Sequence, residues 1–158
     1  MRKIFGKTLF AIALTVVAAA FGADNSVGTW KLNVEKSKSS LKTFPLKSLT
    51  TTREAVAGGV KVTTNGERFD STAVHVSYTE KYTGATTPFE GSGAPYDTVS
   101  IKQIDANTFI DEQKKTGGAY HTTGRTVISH DGKTMTVTRQ GTYSDGTPFR
   151  ATYIYEKQ

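Results

Sequence analysis

Cysteine is absent from all 158 residues, and tryptophan occurs once. Without cysteine there is no disulfide to hold a small stapled scaffold and no thiolate to serve as nucleophile or soft metal ligand. The three histidines, His75, His121 and His130, are widely separated and show no metal-ligand spacing, so neither a metal nor a cofactor is expected. Ser92 lies in Gly91-Ser92-Gly93 but lacks the Gly-x-Ser-x-Gly elbow of a hydrolase. Asp111 and Glu112 are adjacent on an expected strand, which turns them to opposite faces and denies them a shared acid–base role. No catalytic residue is identified.

Long apolar runs are missing too. The most apolar uncharged stretch, Thr8 to Ala20, has 13 residues, short of the roughly 20 that a membrane-spanning helix needs. It follows Arg2, Lys3 and Lys7, and the small residues Ala18, Ala20 and Gly22 lie at and just beyond its end. That is the pattern of an export leader over residues 1–22, which places a domain of residues 23–158 in the periplasm or outside the cell. Removing the leader leaves 17 basic against 14 acidic residues, a net charge near +3. These charges are dispersed, with one cluster at Lys36, Lys38, Lys42 and Lys47. Nucleic-acid binding, which concentrates cations on one face, is not expected, nor is stable membrane insertion.

What is present is β-former chemistry. The chain after the leader carries 24 threonines among many Val, Ile, Tyr and Phe. Val60/Val62, Val74/Val76/Tyr78, Val99/Ile101 and Met135/Val137 alternate with polar residues, the period of half-buried strands. Gly58-Gly59, Asp131-Gly132 and Asp145-Gly146 mark tight turns between them. The pattern predicts nine strands, near residues 27–33, 48–57, 60–66, 73–83, 97–104, 108–115, 119–129, 134–143 and 148–156. The links are too short for crossover helices, so the expected fold is all-β: one antiparallel meander closed into a small barrel of about 8–10 strands, with an open sandwich as the alternative. Residues 34–47, polar and basic around Pro45, and residues 84–96, rich in Gly and Pro, read as breaks.

Gly28-Thr29-Trp30 resembles the Gly-x-Trp opening strand of the calycins, and Ala151-Thr152-Tyr153-Ile154-Tyr155-Glu156-Lys157 resembles the closing strand of intracellular fatty-acid-binding proteins. The whole chain after the leader is similar to small exported bacterial lipocalin-like proteins. The resemblance implies a barrel with Trp30 plugging one end, Gly28 admitting close backbone approach, and an arginine (Arg139 or Arg150) packed over Trp30. It also implies a hydrophobic or amphipathic ligand. Two departures stand out. Residues 34–47 are too few and too basic for the family's helical lid, and the Arg of its Arg-x-Tyr ending is Tyr153 here, so that only Tyr155 matches.

The residues expected to meet a ligand are Arg139, Tyr153, Tyr155, Tyr78, Arg125 and His121. Arg139 follows Met135 and Val137 on their apolar face, where a cation must be paired or solvated and so suits an anion. Two other readings remain open: a structural or interaction module whose core is filled by its own side chains, and an isomerase or dehydratase on the same scaffold. A cavity of roughly 300 Å³ or more favours binding, and a filled core favours the module.

Overall fold

A computed structural model describes residues 24–158, and the expected leader lies outside these residues. Eleven strands form one antiparallel sheet: β1 (Gly28–Ser39), β2 (Leu46–Val56), β3 (Gly59–Arg68), β4 (Ala73–Glu80), β5 (Thr83–Pro88), β6 (Glu90–Ser92), β7 (Thr98–Asp105), β8 (Thr108–Lys114), β9 (His121–Ile128), β10 (Thr134–Thr142) and β11 (Pro148–Lys157). The spatial order is β5-β7-β8-β9-β10-β11-β1-β2-β3-β4-β6. Each strand is next to its sequence neighbour except where β11 meets β1 and where β5 and β6 divide. The expected all-β meander is therefore the observed fold.

The alternating runs behave as their period requires. Val60, Val62, Val74, Val76, Val99, Ile101, Met135 and Val137 are all buried, while His75 and Lys102 point outward. Hairpins close at Gly132 (φ 68°) and Gly146 (φ 85°), left-handed positions that favour glycine. Beside Gly146, the Asp145 carboxylate accepts the Thr147 amide at 2.9 Å and fixes the turn.

Two segments read as breaks belong in part to the sheet. β1 runs on to Ser39 through a bulge between Asn33 and Lys38. Ser37 Oγ ties that bulge down, donating to the Asn33 carbonyl at 2.6 Å and accepting the Ile154 amide at 3.0 Å. β2 then starts at Leu46, immediately after Pro45. The glycine- and proline-rich stretch also pairs. Its first part, β5, bonds to β7 and its last part, β6, bonds to β4, with only Phe89 between them. Together β5 and β6 act as one interrupted strand, lying between β4 and β7 and nearly closing the sheet into a barrel. The sequence conceals this because β5 is exposed at almost every position and so shows no alternation.

The two barrel ends differ. Trp30 seals one end: it is fully buried, and its indole N–H donates to the Ser26 carbonyl at 2.8 Å. At the other end the Arg68 guanidinium of β3 donates to the Tyr143 hydroxyl just beyond β10, spanning the opening.

Candidate functional site: the barrel interior

The inward faces leave a cavity of about 160 Å³. Six of the seven tyrosines line it: Tyr78, Tyr96, Tyr120, Tyr143, Tyr153 and Tyr155. Rings around the open end touch in sequence. Phe89 packs on Tyr96 at 5.2 Å, Tyr96 on Tyr120 at 5.8 Å, Tyr120 on Tyr143 at 5.8 Å and Tyr143 on Phe149 at 5.6 Å. These are edge-to-face, tilted and stacked contacts of the kind aromatic rings favour. Burial pushes the phenols of Tyr78, Tyr96 and Tyr153 above the usual range and that of Tyr155 up to about 12. All four are therefore neutral hydrogen-bond donors near pH 7.

Arg139 points into this interior, and its charge is met there. Nη2 donates to Asp111 Oδ2 at 2.6 Å, Nη1 donates to Thr122 Oγ1 at 3.0 Å, and both charged side chains are more than nine-tenths buried. The register explains the reach. Asp111 on β8 pairs with Gly124 on β9, which pairs with Arg139 on β10, so the three occupy one row across the sheet. Gly124 contributes no side chain to that row. A Cβ there would collide with Asp111 Oδ1 and come within 2.9 Å of Arg139 Nη2. Burial disfavours the charge on Arg139, but Asp111 and nearby phenols outweigh it and hold the pKa above its ordinary value.

A second arginine, which sequence reasoning missed, lies toward the sealed end. Arg53 is 8% exposed and lines the cavity, and its Nε and Nη1 are buried with no hydrogen-bond partner among the described residues. It stands in a row with Val62 and Tyr78. Its charge acts on Tyr78, Tyr82 and Tyr155, where it opposes the rise caused by burial. The signal available in the sequence was weak. Thr50-Thr51-Thr52-Arg53-Glu54 has no apolar alternation, and only the register opposite Val62 assigns Arg53 to the inner face.

Nearby Glu80 is 1% exposed. Its Oε1 accepts the amides of Lys81 and Tyr82 at 3.0 and 2.9 Å, while Oε2 is buried without a partner among the described residues. Burial raises its pKa above the ordinary carboxyl value.

The other sequence-predicted residues divide cleanly. Tyr78, Tyr153 and Tyr155 meet Arg139 around the cavity. Arg125 and His121 do not: both are exposed on the outer face of β9, and His121 Nε2 bonds Glu112 Oε1 at 2.7 Å. Their positions follow from strand parity, since the inward residues of β9 are Thr122, Gly124, Thr126 and Ile128. Arg150 is exposed on β11, and Arg139 is held by Asp111, so neither covers Trp30. Lys157 takes that place, its Nζ lying 5.1 Å from the Trp30 ring centre. Gly28 allows the approach: at φ 130° it leaves room where a Cβ would stand 2.6 Å from Lys157 Cε.

Among the described residues no group of three His, Asp or Glu side chains is placed to hold a metal ion, and no helix is long and apolar enough to cross a membrane. No known family model matches the chain, and no curated protein matches it either.

Proposed function

We propose that this chain is an exported, lipocalin-like barrel that binds a small amphipathic molecule in its interior. The observation that carries the reading is a cavity lined by tyrosines and containing a buried cation, Arg53, that no described residue neutralises. A barrel filled for stability alone gains nothing from such a group, because burying a charge without a partner is costly. Phenol donors beside apolar Val62, Val99, Ile101 and Met135 offer both kinds of surface an amphipathic ligand needs. Export is supported by the composition of residues 1–22, and the calycin-like assignment by Gly28 and Trp30 at the sealed end of a nearly closed antiparallel barrel.

Size narrows the ligand. A cavity of 160 Å³ is smaller than the roughly 300–1,000 Å³ typical of drug-sized ligands and close to the ~150 Å³ that accepts one benzene ring. A one-ring or short-chain molecule fits better than a long fatty acid.

A filled-core interaction module is the second reading, favoured by the small cavity and by the Arg139–Asp111 pair, which needs no ligand. Titration of the isotope-labelled protein with 4-ethylphenol and with decanoate separates the two. Saturable shifts of the Val62, Val99, Ile101 and Val137 methyl resonances with 4-ethylphenol are expected. No saturable shift with either compound would establish the module.

A further inference from the structure

We infer that Arg53 is the seat for a carboxylate, and that the ligand is a small monocarboxylic acid bound head-first toward the Trp30 end. The inference rests on the binding function proposed above and specifies its chemistry. It starts from the balance of charge inside the barrel. Of the two arginines buried inside the barrel, Arg139 already has a carboxylate, Asp111, at 2.6 Å. Arg53 has none, although it is 8% exposed and two of its nitrogens are wholly covered.

The one other buried acid is not its partner. Glu80 forms no salt bridge, and its better-bonded oxygen is spent on the amides of Lys81 and Tyr82. Arg53 is therefore a buried positive charge with no carboxylate in contact among the described residues, and a bound monoanion supplies one.

The surroundings specify what kind of monoanion. Guanidinium groups present planar pairs of donors that match a carboxylate. Tyr78, in the same row as Arg53, and Tyr155 line the same cavity, and both phenols, raised by burial and neutral near pH 7, are available to donate to the head group. Val62 and Met135 beside them, with Val99 and Ile101, supply an apolar wall, and the aromatic rings of the open end flank the entry. The acidic end of the ligand accordingly lies deep and its apolar part lies toward Tyr96 and Tyr143. The cavity volume limits that apolar part to about one ring or a short chain.

Benzoate and its neutral isostere benzamide test the inference, with binding read by calorimetry and methyl shifts on wild type, Arg53→Met and Arg53→Lys. Wild type should bind benzoate at least about tenfold more tightly than benzamide, the preference expected of a charge-assisted hydrogen bond. Arg53→Met should abolish the preference while retaining benzamide binding, and Arg53→Lys should keep part of it, which also guards against a Met variant that does not fold. A benzoate preference that survives in Arg53→Met would overturn the inference, as would equal binding of the two probes by wild type. In both cases the binding cavity itself would stand. Failure of wild type to bind benzoate, benzamide or 4-ethylphenol would remove the binding function and the inference together.

Discussion

Two arginines are buried in the same barrel and meet opposite circumstances. Arg139, nearer the open end, lies in a row prepared for it: an acid two strands away, a glycine between, and a threonine hydroxyl for a second donor. Arg53, toward the sealed end, has Val62 opposite and forms no salt bridge among the described residues. The difference shows that burying a cation does not by itself mark a binding group. The paired arginine is part of the protein's own structure, and the unpaired one is the seat we propose for a ligand.

Removing Asp111 gives the largest expected effect. Asp111→Ala strands the Arg139 charge and should lower the unfolding free energy by about 3–5 kcal/mol in urea denaturation. Arg53→Met, by contrast, replaces an unpaired buried charge with an apolar chain of similar length. It should leave stability within about 1 kcal/mol of wild type or raise it. Equal losses in the two variants would erase the distinction between the arginines.

The row itself can be tested next. Gly124→Val places a side chain where Asp111 and Arg139 now meet and should cost about 1–3 kcal/mol as an overpacked interior substitution. A neutral outcome would mean that the pair does not depend on the gap.

The smallest effect concerns the acid near Arg53. Glu80 has a raised pKa because of burial, so the folded protein holds its proton more tightly than the unfolded chain. Its contribution to stability is full below the ordinary value of 4.5 and is lost as pH rises from there through the raised folded value. Glu80→Gln should flatten this part of the pH profile, measured as unfolding midpoints between pH 4 and pH 8. An unchanged profile would show that Glu80 is no more stable protonated than ionised in the folded state.

The frame of the barrel was legible in the sequence because valine–polar alternation and Asp-Gly turns encode strands locally. The extension of β1 past Asn33 was not, because it depends on Ser37 bonding Ile154, a partner near the other end of the chain. Tyr78 and Arg139 were legible as inward residues by parity with the apolar residues of their own strands, and Tyr153 and Tyr155 through the resemblance of the closing strand. The fate of Arg139 was not: Asp111 is 28 residues away, and the clue was a glycine inside a strand, where backbone or side chains approach closely. Arg53 was invisible because a run of threonines has no hydrophobic period, and its face is fixed only by pairing with β3.

The seam between β1 and β11 has a consequence for how the chain folds. Asn33 bonds Glu156 across a separation of 123 residues, and the Gln158 amide donates to the Thr29 carbonyl. The first strand therefore lacks its outer neighbour until the last strand is available. Hairpins such as β10–β11 and β2–β3 can form early, because each closes over a short turn, but the seam bears the entropy of closing almost the whole chain. Folding should accordingly be slow for a domain of this size, with sealing of the Trp30 end among its final events. A rise in Trp30 protection that lags behind hairpin formation in stopped-flow experiments is the kinetic signature of that order.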